Sequence, residues 1–246
     1  MAIITLLTDF GIADSYVAEI KAVLLAGAPQ ANLVDISHQI PPGDVQAGQY
    51  LLNRSWKRFP DGTIHLAVVD PGVGSERRAI AAQSGGHRFV APDNGLLSFL
   101  PKNARFVALA IPAKASPTFH GRDVFAPAAA SLATGASLES LGKTINDPYH
   151  APLPTPSSDG AAVVGEVIYV DRFGTLVSNI PPELVEPGVR IRVAGTEVGP
   201  LRRTFGDAAR GALVAFTGSG GTVEIAVRDG SAARLLGVGV GAEVRA

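Results

Sequence analysis

Residues 151–160, Ala151-Pro152-Leu153-Pro154-Thr155-Pro156-Ser157-Ser158-Asp159-Gly160, decide how the rest of the chain is read. Three prolines, two serines and a glycine with little apolar content mark a linker. The hydrophobic period changes across it. Before it, strand-like runs at 3–8, 33–36, 63–69, 79–82, 88–91 and 106–110 alternate with helical spacing at 14–27, 44–59, 94–100 and 124–133. In the first of these helices Val17, Ile20, Val23 and Leu24 share one stripe. Such alternation predicts an α/β domain whose sheet is largely parallel, with helices on both faces. After the linker come short strand candidates at 163–170, 189–193, 213–216, 223–227 and 242–244, separated by Gly, Pro and Asp. That pattern predicts a smaller all-β, barrel-like domain. The expected division is 1–150, a linker at 151–161, and 162–246.

Composition narrows the partners. Among 246 residues, 21 are basic and 22 acidic, so there is no basic field to gather nucleic acid. A hydrophobic fraction of 46% with 17% charged residues describes a globular chain rather than a disordered one. The absence of cysteine excludes disulfides, thiolate zinc sites and cysteine nucleophiles. The run that opens the chain ends at Asp9, and no apolar stretch approaches the roughly 20 residues that span a bilayer. A soluble cytoplasmic protein without membrane partners is expected.

The chemistry is carried by loops. Asp70-Pro71-Gly72-Val73-Gly74-Ser75-Glu76-Arg77-Arg78 follows the apolar run at 66–69, where open α/β sheets bind ligands beyond their strand ends. Pro71 restricts Asp70 to an extended backbone, and Gly72 and Gly74 permit a sharp reversal. Alone, such a loop also reads as a tight turn with a surface ion pair. Asp9, closing the first strand, could accept both hydroxyls of a ribose, or cap a turn. Asp14 suits the N-cap of the helix that follows. His120, in Thr118-Phe119-His120-Gly121-Arg122-Asp123, precedes a helix for which Asp123 is the expected N-cap. Asp93-Asn94-Gly95, Asp171-Arg172-Phe173-Gly174 and the glycine-rich 217–221 read first as turns. No H-E-x-x-H, Gly-x-Ser-x-Gly or phosphate-loop motif occurs among these residues.

Together and in order, these segments resemble the SAM hydroxide adenosyltransferase family, the adenosine-forming S-adenosylmethionine hydrolases, whose relatives include fluorinase and chlorinase. The matching pieces are Thr8-Asp9-Phe10-Gly11, Ile36-Ser37-His38-Gln39-Ile40-Pro41-Pro42, the Asp70 loop, Ala91-Pro92-Asp93-Asn94-Gly95-Leu96-Leu97, the His120 segment and Asp171-Arg172-Phe173-Gly174. The resemblance implies hydrolysis of S-adenosylmethionine to adenosine and methionine by water attack at the ribose C5′, with no metal and no cofactor. It places Asp70, Arg77 and His120 in the catalytic set, with Glu76 and Arg78 left to solvated surface. Asp9 falls on the ribose hydroxyls, Asp14 and Tyr16 on the methionine end, Asp171 on its ammonium and Ser219 near its carboxylate. Asn94, Phe173 and Asn179 fall within matching motifs and join the substrate-binding set. Thr175 and Arg228 stand where many relatives carry the asparagines that bear on the adenine pocket. The family's homotrimer, with sites at subunit interfaces, is implied as well. A carboxylate at Asp70 disfavours the alternative of a chloride-using halogenase; a non-catalytic S-adenosylmethionine or adenosine sensor is the other alternative.

Overall fold

The computed structural model describes residues 2–160 and 162–246, so Ala161 at the end of the expected linker lies outside the described residues. The chain forms two compact units, Met1–Leu153 and Pro154–Ala246.

In the first unit, β1 (Ile3–Thr8), α1 (Tyr16–Gly27), β2 (Asn32–Ser37), α2 (Val45–Ser55), β3 (Ile64–Val68), β4 (Ala79–Ser84), β5 (His87–Pro92), β6 (Arg105–Leu109), α3 (Ala126–Ala133) and β7 (Gly142–Ile145) build a seven-stranded sheet of order β2-β1-β3-β5-β4-β6-β7. Strands β2, β1, β3 and β5 run parallel, while β5-β4-β6-β7 pair antiparallel. The sheet is therefore mixed, which corrects the expectation of a largely parallel one. The reason is local. Only Gly85 and Gly86 join β4 to β5, both at positive φ (52° and 81°), and a two-residue hairpin leaves no length for a parallel crossover.

Period-2 alternation sends Ile4, Leu6, Ile64, Leu66 and Val68 to one core with Ile20 and Leu24 of α1 and Ala129 of α3. The helices approach closely, since a Cβ built on Gly27 would stand 2.8 Å from that of Ala130, which accounts for the alanine-rich α3. Helix α2 packs elsewhere, with Gly48 against Val69 and Leu96. Several expected boundaries shift. Helix α1 takes Ser15 rather than Asp14 as its N-cap residue. Asp44 caps α2 through Ala47 N–H at 2.9 Å, and after Ser55 that helix tightens into a 3-10 turn, Trp56–Arg58, which ends because Phe59 is drawn into the extended region ahead of Pro60. The helix expected at 94–100 is a series of turns instead, since Gly95 sits at φ 97°.

A buried relay crosses the sheet. Thr5 Oγ1 meets His65 Nδ1 at 2.8 Å, and His65 Nε2 meets His87 Nδ1 at 3.1 Å. Both histidines are buried, among Trp56, Phe59 and Phe89. Burial, with His87 beside it, pulls His65 down to about 3, and burial also lowers His87. Below the ordinary histidine value near 6.5 the unfolded chain takes up a proton that folded His65 refuses. Stability on this account is complete above pH about 6.5 and is lost as pH falls toward 3, by about 1.4 kcal/mol per pH unit. Urea melts between pH 7 and 4.5 test this: the Thr5→Val, His65→Leu double variant should show a pH slope shallower by about one proton. An unchanged slope would remove His65 as the source.

The second unit contains β8 (Ser157–Asp159), β9 (Ala162–Val170), β10 (Leu176–Ser178), β11 (Arg190–Val193), β12 (Thr196–Arg202), β13 (Leu213–Thr217), β14 (Val223–Val227), α4 (Ala232–Leu236) and β15 (Glu243–Arg245). The order β10-β14-β13-β12-β11-β15-β9 closes through β9–β10 into a seven-stranded barrel, and β8 adds to β9 outside the ring. Part of the expected linker is thus strand. Val167, Leu176, Ile191, Val193, Ile225 and Val244 fill the interior. Closure removes free strand edges, which suits a unit of such short strands.

Candidate active site

Strand β3 ends at Val68, and two residues later the chain turns at Asp70. Val73 N–H returns to the Asp70 carbonyl and Ser75 N–H to the Gly72 carbonyl. Gly74 stands at φ 77°, and a Cβ there would lie 2.6 Å from the Pro117 carbonyl oxygen. Only glycine lets this loop press against the 116–120 segment, and that contact brings His120 to Arg77 across 43 residues of sequence.

The result is one buried cluster. Arg77 Nε donates to Asp70 Oδ1 at 2.8 Å, and its Nη2 donates to Oδ2 in the second arm of a fork. The same Nη2 lies 3.0 Å from His120 Nδ1. The side chains of Arg77 and Asp70 are 10% and 5% exposed. The guanidinium sits over the Phe125 ring at 5.2 Å, and its Nη1 has no hydrogen-bond partner among the described residues. Because a guanidinium only donates, His120 Nδ1 must offer its lone pair, and the neutral ring then carries its proton on Nε2. Burial, and then the Arg77 charge, hold His120 below the usual histidine value; Asp70 and Asp123 pull less strongly the other way.

His120 stands where a π turn, Gly121–Phe125, feeds into α3, with Ala126 N–H reaching back to the Gly121 carbonyl. Such turns recur at functional sites because they re-aim side chains. The turn also overrides the expectation that Asp123 caps the helix. Asp123 lies inside the turn, where it accepts from Ser116 N–H at 2.8 Å and from Arg122.

A cleft of about 560 Å³ opens over this cluster, lined among others by Asp9, Tyr16, Asp70, Phe119, His120 and Arg122, and is of the size that holds small ligands. Phe10, Tyr16 and Phe119 meet edge to face with centroids 5.3–6.0 Å apart. Arg122, 5.0 Å over Phe119, is braced by Glu19 at 2.9 Å. Spacing in the sequence gave no sign that Glu19, Phe119 and Arg122 form one wall, since Glu19 and Arg122 lie 103 residues apart. Asp9 accepts from Gly43 N–H through Oδ2 at 2.8 Å. Asp14 is exposed in the bend before α1. A second cavity of about 550 Å³, near Leu97 and Tyr149, lacks the Asp70, Arg77 and His120 cluster.

Other expected site residues have structural partners. Asn94 donates to the Val69 carbonyl at 2.8 Å and accepts from Leu96 N–H, so it ties down the residue before Asp70. Arg78 is not loose surface, as was expected of it: it joins Asp93 at 2.7 Å and Asp147 at 2.8 Å, fastening the foot of the loop. Glu76 is exposed. In the second unit, Asp171 Oδ1 accepts from Phe173 and Thr175 N–H groups in the turn between β9 and β10, and Phe173 is 76% exposed. Asn179 spends its amide on Glu166 N–H and the Pro154 carbonyl, and a Cβ on Gly165 would strike it at 2.2 Å. Ser219 lies exposed in the turn between β13 and β14. Thr175 is buried, and Arg228 donates to the Gly206 and Ala208 carbonyls.

Among the described residues there is no group of acids and histidines able to hold a metal, and no helix is long and apolar enough to cross a membrane. The family model described as SAM hydroxide adenosyltransferase N-terminal domain matches residues 4–142, and that of the C-terminal domain matches 165–245. An (R)-S-adenosyl-L-methionine hydrolase from Thermus thermophilus is 44% identical, with 97% of each chain covered. A fluorinase from Nocardia brasiliensis is 30% identical over 91% of this chain and 89% of its own. A crystal structure of a conserved protein from Thermotoga maritima aligns with a TM-score of 0.91 at 36% identity, covering 98% of both chains.

Proposed function

The chain belongs to the SAM hydroxide adenosyltransferase family, and from that premise we propose that it hydrolyses S-adenosyl-L-methionine to adenosine and L-methionine, with water attacking the ribose C5′. The observation that carries the chemistry is the buried Asp70–Arg77–His120 cluster beneath the cleft. Methionine leaves a sulfonium as a neutral thioether and needs no acid. The reaction's demand is for an oriented oxygen nucleophile, partly deprotonated and shielded from bulk water.

The cluster supports a division of labour. His120, with Nδ1 engaged by Arg77, offers an Nε2–H that holds the water oxygen. Asp70 is the acceptor: each of its oxygens keeps a lone pair beyond the Arg77 fork, and the water proton passes to it and then to solvent. Arg77 remains charged throughout, fixing Asp70 and favouring the developing hydroxide. Asp9 takes the ribose hydroxyls, and Asp14 and Tyr16 lie toward the methionine end. Asp171 Oδ2, which makes no hydrogen bond among the described residues, is the oxygen for the methionine ammonium, with Ser219 serving the carboxylate. Neither metal nor cofactor takes part, and the enzyme works in the cytoplasm as a homotrimer.

Incubating purified protein with S-adenosylmethionine and separating the products tests the reaction. Adenosine and methionine should appear in equal amounts. In concentrated chloride, 5′-chloroadenosine should stay a minor species, because the Asp70 carboxylate repels an anion. Binding without either product would identify a sensor instead, and 5′-chloroadenosine as the main product would identify a halogenase.

A further inference from the structure

The segment Ile36-Ser37-His38-Gln39-Ile40-Pro41-Pro42 has no part in the mechanism above, yet it is bonded to the turn that carries Asp9. We propose that His38, acting through Thr8, is a positioning residue that sets the Asp9 carboxylate for a ribose diol. This rests on the reading of Asp9 as the ribose ligand.

Asp9 stands just past the end of β1, in an irregular stretch that runs to Ser15, so no regular element orients it. Instead, the 38–43 segment holds it from both sides. Gly43 N–H donates to Asp9 Oδ2 at 2.8 Å, from a residue at φ 74°, in the region that favours glycine. Gly11 N–H donates to the His38 carbonyl at 2.7 Å. Between these, Thr8 Oγ1 accepts from Phe10 N–H at 3.3 Å and lies 2.8 Å from His38 Nδ1. With one lone pair of Thr8 taken by Phe10, its O–H or its second lone pair meets Nδ1, according to the tautomer of the ring, whose other nitrogen is Nε2. That nitrogen lies 3.1 Å from Asp35 Oδ1, close enough for attraction but too bent for a well-formed hydrogen bond. Lys21 holds the other Asp35 oxygen at 2.7 Å. Thr8 and His38 are both buried. The chain of contacts thus runs from an ion pair at the surface to the backbone on either side of Asp9. Asp9 Oδ1 has no partner among the described residues and is left for the sugar.

The test measures ribose recognition in the full-length protein. Adenosine and 2′,3′-dideoxyadenosine are titrated by calorimetry against wild type, Asp9→Ala, Thr8→Val, Thr8→Ser and His38→Ala. Wild type should prefer adenosine by roughly 10-fold or more, the worth of a hydrogen bond to a charged group. Asp9→Ala should abolish the preference. Thr8→Val and His38→Ala should reduce it at least ~5-fold while leaving dideoxyadenosine affinity nearly unchanged, and Thr8→Ser, which keeps the hydroxyl, should restore it. A merely structural role would lower thermal stability and weaken both ligands alike. A Thr8→Val protein that keeps the full preference would overturn the proposal, as would a wild type with no preference for the diol. Failure of the proposed reaction would show separately, as wild-type protein that releases no adenosine from S-adenosylmethionine.

Discussion

Asp70→Asn should lower the rate of adenosine release by ~10²–10⁴-fold, the usual worth of a positioned general base. Asparagine keeps the shape and leaves an oxygen for one arm of the Arg77 fork, so the loss reports the missing proton acceptor rather than a collapsed loop. The alternative acceptor, His120, has its Nδ1 lone pair engaged by Arg77 at 3.0 Å and is lowered by burial and by that charge. Nothing in the cluster is placed to replace Asp70. Single-turnover assays with saturating S-adenosylmethionine separate the chemical step from binding, and affinity for the substrate should change by less than ~10-fold, since no adenosine or methionine contact is assigned to this carboxylate. Undiminished single-turnover release would remove Asp70 as the base and leave His120 to take the proton.

Arg77→Met should cost about 3–5 kcal/mol of folding stability, the loss seen when one member of a buried ion pair is removed and the other keeps its charge. Asp70, with a side chain only 5% exposed, would then be a buried carboxylate without its counterion. The substitution also leaves His120 Nδ1 without its donor, so turnover should fall along with stability. Urea unfolding at pH 7 measures the first effect. The double variant Asp70→Asn, Arg77→Met should be more stable than Arg77→Met alone, because the stranded charge is gone, and the two effects should be clearly non-additive. A single-variant loss below ~1 kcal/mol, the range of exposed pairs, would mean that water reaches the pair and that its buried character is wrong.

Both effects depend on an arrangement only part of which is written in neighbouring residues. Asp70 and Arg77 lie seven positions apart on one loop, and an acid and an arginine around two glycines are readable there. His120 joins them only because Gly74 lets the loop meet Pro117, which no local pattern reveals. Asn94 and Asn179 stood out by motif, but their amides hold the Val69 carbonyl and the barrel seam. Arg78, read as solvated, fastens the loop through Asp93 and Asp147. The Gly85-Gly86 turn was not read as a hairpin from the sequence, and its effect on the direction of half the sheet follows only once β4 lies between β5 and β6.

By itself the sequence determined two units of different class, the first six strands and the helices α1, α2 and α3 of the first, five strands of the second, and the loops that bear the acids. It did so because hydrophobic period, proline placement and turn residues act over a few neighbours, where the backbone leaves few alternatives. The tertiary structure alone decided which way the strands of the first sheet run, which nitrogen of His120 faces Arg77, and how His38 reaches the Asp9 turn across the top of β1. Those contacts join residues 30 to 43 positions apart. Their geometry is set by strand order and by the close approach of glycines, quantities that exist only after the sheet has formed.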